Sequence, residues 1–275
     1  MSNKGLTQKS APAASVSVVE DRDVQGLFIK KLQLQEGAKA IVRFLTDGRD
    51  VIDDTFHRQV PKQVKTTIFK TDVLCTLPNG SCKHCDEGLY KTAKMFLTWV
   101  WVEKIFYKNK PNAQYNPTAL EKDDEGSEYW VEEVNGPMVW QQTMGKGFYL
   151  YNQLTSIYRQ NKSLRIGKFT ISRTGSGIDT TYSIMPVMSS FTTDERHMPD
   201  ELVAMSENLP DLEKFAAGKL TKIPFSVLGI SPEDSQKVQK VTTKRSVPQE
   251  LDDDDLTSKL IDPLADELDD ISTIF

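Results

Sequence analysis

Cysteine is scarce in this chain: 275 residues hold three. An odd number leaves one thiol over in any disulfide framework, so the reducing interior of a cell is the expected setting. Long apolar runs are missing as well. No stretch approaches the ~20 residues that a membrane span requires, and the opening MSNKGLTQKSAPAASVSVVE lacks the apolar centre of a secretory signal. A cytoplasmic protein with no membrane partner is the expectation. There is no internal repeat, no nucleotide-binding glycine motif and no strongly basic helix suited to a duplex groove. Paired carboxylates occur at Asp53-Asp54 and Asp123-Asp124, but in turn-like sequence without a histidine or lysine constellation, which argues against a nuclease.

Charge is unevenly divided. The chain carries a net −5, yet residues 250–275 hold ten acidic groups and one lysine, a local −9. The 249 residues before them hold 33 basic and 29 acidic groups, or +4. A mildly basic body with an acidic tail can bind partners of opposite character.

Along the chain, residues 1–25 read as a flexible arm, 26–220 as a folded core, 221–249 as a linker and 250–275 as the tail. KLQLQ, with Leu32 and Leu34 alternating, and AIVRFL (40–45) read as strand. MFLTWVWVEKIFY (95–107) is dense in β-branched and aromatic residues and is a strand on any reading. Residues 108–127 read as a long loop and 129–134 as another strand. Phe148, Tyr151, Leu154, Ile157 and Tyr158 at helical spacing predict an amphipathic helix. FTISR, a turn at Thr174 to Gly177, and TTYSIMP predict a hairpin, while Pro199 and Pro210 each open a short helix. The expected class is mostly β (α+β): an elaborated five-stranded barrel of the oligonucleotide/oligosaccharide-binding (OB) type, with an inserted metal subdomain at about 55–92 and peripheral helices.

All three cysteines fall within eleven positions, as Cys75, Cys82 and Cys85. The Cys-x-x-Cys pair is a metal knuckle, and Pro78, Asn79 and Gly80 supply the turn that brings Cys75 to it. Three sulfurs want a fourth ligand for a closed tetrahedral zinc site, and His57 is the choice over His84, which lies inside the knuckle. The site reads as structural, with Zn2+ as the cofactor.

Stacking of unpaired bases needs aromatic faces, and phosphates need cations. Trp99, Trp101, Tyr107, Tyr129 and Trp130 crowd into the central strands with Arg43, Arg58, Lys94 and Lys104 nearby. Alternation puts Trp99 and Trp101 on one face of their strand and Val100, Val102 and Lys104 on the other. One face is core, so the tryptophans serve either the core or the bases.

Taken together, the AIVRFL strand, the His, Cys and Cys-x-x-Cys series and the aromatic strands resemble the helix-destabilising single-stranded DNA-binding proteins of large tailed phages. The hairpin from Ile171 to Tyr182 is similar to a segment found in such proteins, which adds Arg173 and Tyr182 to the candidate DNA contacts. The resemblance implies an OB core with a zinc subdomain, roles in replication, recombination and repair, and a host-cell cytoplasmic location. The known members carry a basic N-terminal arm; here the first nineteen residues offer Lys4 and Lys9, and Thr242-Thr243-Lys244-Arg245-Ser246 is basic instead.

The tail ends Asp269-Asp270-Ile271-Ser272-Thr273-Ile274-Phe275. Acidic residues followed by an apolar Ile274-Phe275 are similar to the tips through which single-strand-binding proteins engage polymerases, helicases or recombinases. A partner-binding role is therefore expected for Asp269, Asp270, Ile274 and Phe275. The same tail can occupy the basic groove in cis. Two rivals stay open: a zinc-containing interaction scaffold that touches no nucleic acid, and a DNA-processing enzyme.

Overall fold

A computed structural model describes residues 24–231, apart from 49, 65–66, 111–118, 123–125, 145–148, 177–178 and 193; at 62–64, 67–69, 79 and 119 it describes the backbone alone. Residues 1–23 of the expected N-terminal arm, the basic run 242–246 and the whole acidic tail lie outside these residues, as do Phe148, Asp123 and Asp124. Val24 and Gln25, expected in the arm, are held to the body through their carbonyls by Lys222 and by the Phe225 N–H.

In chain order the elements are β1 (Gly26–Phe28), β2 (Lys39–Phe44), β3 (Ile52–Val64), β4 (Thr67–Leu74), α1 (Lys83–Glu87), β5 (Thr92–Tyr107), β6 (Ala119–Lys122) and β7 (Glu128–Thr143). There follow α2 (Tyr149–Asn161), β8 (Phe169–Thr174), β9 (Thr181–Pro186), α3 (Ser189–Thr192), α4 (Asp200–Asn208), α5 (Leu212–Ala216) and β10 (Lys222–Pro224). The class is mostly β, as expected.

β5 organises the sheet. From Met95 to Tyr107 it pairs with β7 along one edge. Its other edge is shared: β2 pairs with residues 100–106, the chain leaves for a short excursion, and β3 resumes at Leu97 down to Thr92. β4 lies outside β3, β6 outside β7, and the β8–β9 hairpin continues from β2. The sheet is antiparallel throughout and open: among the described residues no ladder joins β7 to β9. Instead the segment before β2 runs along that gap. Leu32 N–H donates to Val139 O, Val139 N–H to Lys30 O, and further on Gly37 N–H to Arg173 O. The strand expected over KLQLQ is thus a single parallel bridge at Lys31, because the segment spans a seam rather than joining a ladder.

Both faces of β5 are core. Phe96, Val100 and Val102 pack into one cluster with Phe44, Trp140 and Phe169, while Met95, Leu97 and Trp99 pack into another with Phe56, Leu212 and Ile223. Sequence alternation assumes one buried and one wet face, and it also assumes unbroken pleat. A bulge between Val102 and Lys104 breaks it. An extra residue flips the parity, so Ile105 and Tyr107 take over the face of Val102, and Lys104 leaves it.

The helix predicted from its spacing (α2), the hairpin predicted from its turn (β8–β9) and the short helices predicted after Pro199 and Pro210 (α4 and α5) are all present. Several boundaries shift: the strand expected over 129–134 runs on to Thr143, and Asp53-Asp54, expected in a turn, stand within β3. Residues 119–122, expected within a loop, form β6 against Tyr129 and Trp130. Residues 221–229, expected as linker, belong to the folded body: β10 pairs with β1, and Ile223 and Phe225 are buried.

Candidate metal centre and adjoining cleft

The local chain folds to bring four side chains to one point. β3 delivers His57, which pairs across to Thr92 and Val73. Cys75 follows β4 and is pinned by its own N–H to Thr55 O at 2.8 Å. The turn Leu77–Asn79 closes at Gly80, whose φ of 111° suits only glycine, and Thr76 Oγ1 donates to Ser81 O at 2.7 Å. Cys82 then caps α1, receiving N–H groups from Cys85 and Asp86, and Gly88 (φ 62°) ends that short helix.

His57 Nε2 stands 3.2 Å from Cys82 Sγ and 3.5 Å from Cys85 Sγ, and Cys75 Sγ is 3.5 Å from Cys85 Sγ. All four ligand atoms lie within 4.8 Å of one another. Around a tetrahedral ion with Zn–S about 2.3 Å and Zn–N about 2.0 Å, neighbouring ligand atoms are about 3.5–3.8 Å apart, so the cluster has the size such an ion fills. His57, Cys75 and Cys82 are buried and Cys85 is half-buried. His84 stays outside: its ring is 5.4 Å from that of His57, and its Nδ1 faces Glu87 at 3.6 Å.

Electrostatics favour a cation here. Burial pushes the Cys82 thiol up, but N–H groups of Cys85 and Thr76, the Thr76 hydroxyl and His57 outweigh it and hold it at about 5. Cys85, sharing a proton with Cys75 and facing the Cys82 charge, is pushed up to about 12. Without a cation the cluster tolerates one thiolate easily and resists another; a divalent ion removes that conflict. A buried His/Cys3 set of this size can hold a metal ion.

Beside this centre, where β7 and β9 leave the sheet open, lies a cleft of about 1200 Å³. Gln141, Gln142 and Thr143 of β7 form one wall, and Arg173, Thr181 and Tyr182 of the β8–β9 hairpin the other. Lys31 to Leu34 line it from the seam segment, Tyr149 from α2, and Arg58 and Asp72 from the β3–β4 hairpin that carries His57 and leads into Cys75. Arg173 Nη1 donates to Leu34 O at 2.5 Å, while its Nε is buried with no partner. Tyr182 meets the buried Trp140 edge-on at 6.5 Å.

Of the sequence-predicted DNA contacts, Arg58, Arg173 and Tyr182 come together here. Others are placed elsewhere, and for plain reasons. Trp99 is 3% exposed and its Nε1 donates to Pro210 O at 3.1 Å. Tyr107 is buried, with its hydroxyl on Glu132 at 2.7 Å. Arg43 is buried, tying Gly167 O and Glu195 O to β2 and facing Glu103 at 3.7 Å. Trp101 is half-buried against the second core. Lys104 is paired with Glu133 at 3.2 Å and Glu121 at 3.6 Å, which raises its pKa, the Glu133 contact first. Tyr129 lies under Lys39 and Trp130 under Lys110, at the far end of β7 from the cleft. Lys94 is exposed on β5. Sequence reasoning missed Lys31, Tyr149 and the Gln141-Gln142 wall, which no motif marks.

No protein-family model matches this chain, and no curated protein matches it either.

Proposed function

We propose that this protein binds single-stranded DNA without catalysing a reaction, in the manner of the phage helix-destabilising proteins it resembles. The observation that carries the reading is the cleft: Arg173 on the hairpin wall and Arg58 beside it from β3, Tyr149 and Tyr182 at its sides, and amide groups between, at an open seam of a β sheet. Cations to follow phosphates and ring faces for bases are what sequence-tolerant single-strand binding requires. Supporting it, β2, β5, β7, α2, β8 and β9 run in the order of an OB-fold, three strands, a helix, then two strands. The metal is assigned as zinc on ligand chemistry, since three thiolates and an imidazole in a small closed site suit that ion best. The acidic tail recruits replication and repair proteins through Ile274 and Phe275, and competes with DNA for the basic cleft.

The deciding experiment titrates labelled single- and double-stranded oligonucleotides with the full chain and with a chain ending at Gln249, at two salt concentrations. The expected result is preference for the single strand, weakening with salt, and tighter binding without the tail. Negligible binding of either form by either chain would remove the reading. The interaction scaffold would then lead, because Leu77 and Leu89 flank the metal knuckle at 53% and 60% exposure.

A further inference from the structure

We infer that Arg58 is the cleft's phosphate-gripping residue and that the metal centre is what aims it. The inference rests on the single-strand reading above and concerns how the same cleft is set. Arg58 directly follows the metal-facing His57, at a place where β3 is irregular: its register against β4 shifts between His57 and Val60, and Gln59 adopts a left-handed φ of 56°. A side chain other than glycine holds that conformation only where its surroundings enforce it, and bulges commonly re-aim a side chain next to a working site.

The enforcing contacts can be named. Arg58 N–H donates to Lys91 O at 2.8 Å. Asp72 Oδ1 accepts Gln59 N–H at 3.0 Å and Arg58 Nε at 2.9 Å. Each anchor is close in the chain to a metal ligand: His57 precedes Arg58, Asp72 lies three residues before Cys75, and Lys91 six after Cys85. An ion that gathers His57, Cys75 and Cys85 therefore fixes all the supports of one guanidinium. With Nε taken by Asp72, the planar fork of terminal nitrogens is oriented, and a planar fork matches two oxygens of a phosphate. The side chain is 37% exposed and lines the cleft, so a polyanion in the cleft reaches it.

The test uses the full chain and oligothymidylate. Arg58→Gln should weaken binding roughly five- to tenfold at low salt and flatten the slope of log affinity against log salt by about 0.7, the share of one phosphate on a single strand. Its metal content should not change. Chelator-stripped wild-type protein, checked as folded by circular dichroism, should lose affinity by a similar factor, whereas stripping Arg58→Gln should add little. Should stripping unfold the chain, Asp72→Asn provides the same cycle with metal bound: alone it weakens binding, and combined with Arg58→Gln it adds nothing. An unchanged salt slope in Arg58→Gln, or Asp72→Asn and Arg58→Gln effects that simply add, would overturn the inference while leaving single-strand binding intact. No oligonucleotide binding by the unsubstituted chain overturns the single-strand reading itself, and the clamp with it.

Discussion

Cys82 at about 5 and Cys85 at about 12 give the metal centre a measurable signature. At pH 7 the first is ionised and the second is not, so an ion that takes both sulfurs expels at least the Cys85 proton. Acidification toward pH 5 returns a proton to Cys82 as well, and metal affinity falls as pH falls. Zinc titration calorimetry at pH 7 in two buffers of different ionisation heat should show one or more protons released; none would mean the sulfurs are not ligands. Trp99 makes the opposite kind of residue prediction. Its ring fills the second core and its N–H holds Pro210 O, so Trp99→Ala should cost about 3–5 kcal/mol in urea unfolding. Oligonucleotide affinity should hold wherever the variant is folded. Lost affinity at unchanged stability would put the ring back on the binding surface.

Among elements, the β1–β10 ribbon closes the body, and Gly26 is needed there because a Cβ would run into the Ile223 carbonyl. Ending the chain at Leu220 removes β10 together with the buried Ile223 and Phe225. Compared with a chain ending at Ser231, stability should fall on the order of 3 kcal/mol, read by thermal or urea unfolding. Equal stabilities would mean the ribbon is ornamental. This strand was not legible in the sequence, and the reason is general to the elements that were missed. Lys222–Pro224 is three residues long, too short for any alternation to register. β5, the β8–β9 hairpin and α2 announced themselves because each carries its own periodicity or turn over enough residues. β3 and β4 did not: FHRQVPKQV is polar, contains Pro61 and changes register at its bulge. The metal set was legible because ligand spacing is local for the three cysteines. The cleft was not, since Lys31, Gln141 and Arg173 meet across more than a hundred residues of chain.

For the whole molecule, the question is how far the influence of an ion in the His/Cys3 cluster would reach. The four side chains that can hold it come from β3, the end of β4 and the knuckle before β5, so an ion would tie one hairpin to the edge of the central strand. That hairpin contributes Phe56 and Leu74 to the second core, while the larger first core is built from β2, β5, β7, β8 and α2. Removing the ion frees three anchors at one end of the sheet but touches none of the ladders that join β5 to β7 or β2 to β8. Hydrogen exchange should therefore show protection lost over residues 52–91 in the stripped protein, with the amides of Val131, Trp140 and Ile171 still protected. The melting temperature should drop as well, because the second core shares β5 with the first. Equal loss of protection across both cores would make the ion a keystone of the entire body rather than of the hairpin. Protection unchanged everywhere would mean the four side chains hold their places without it.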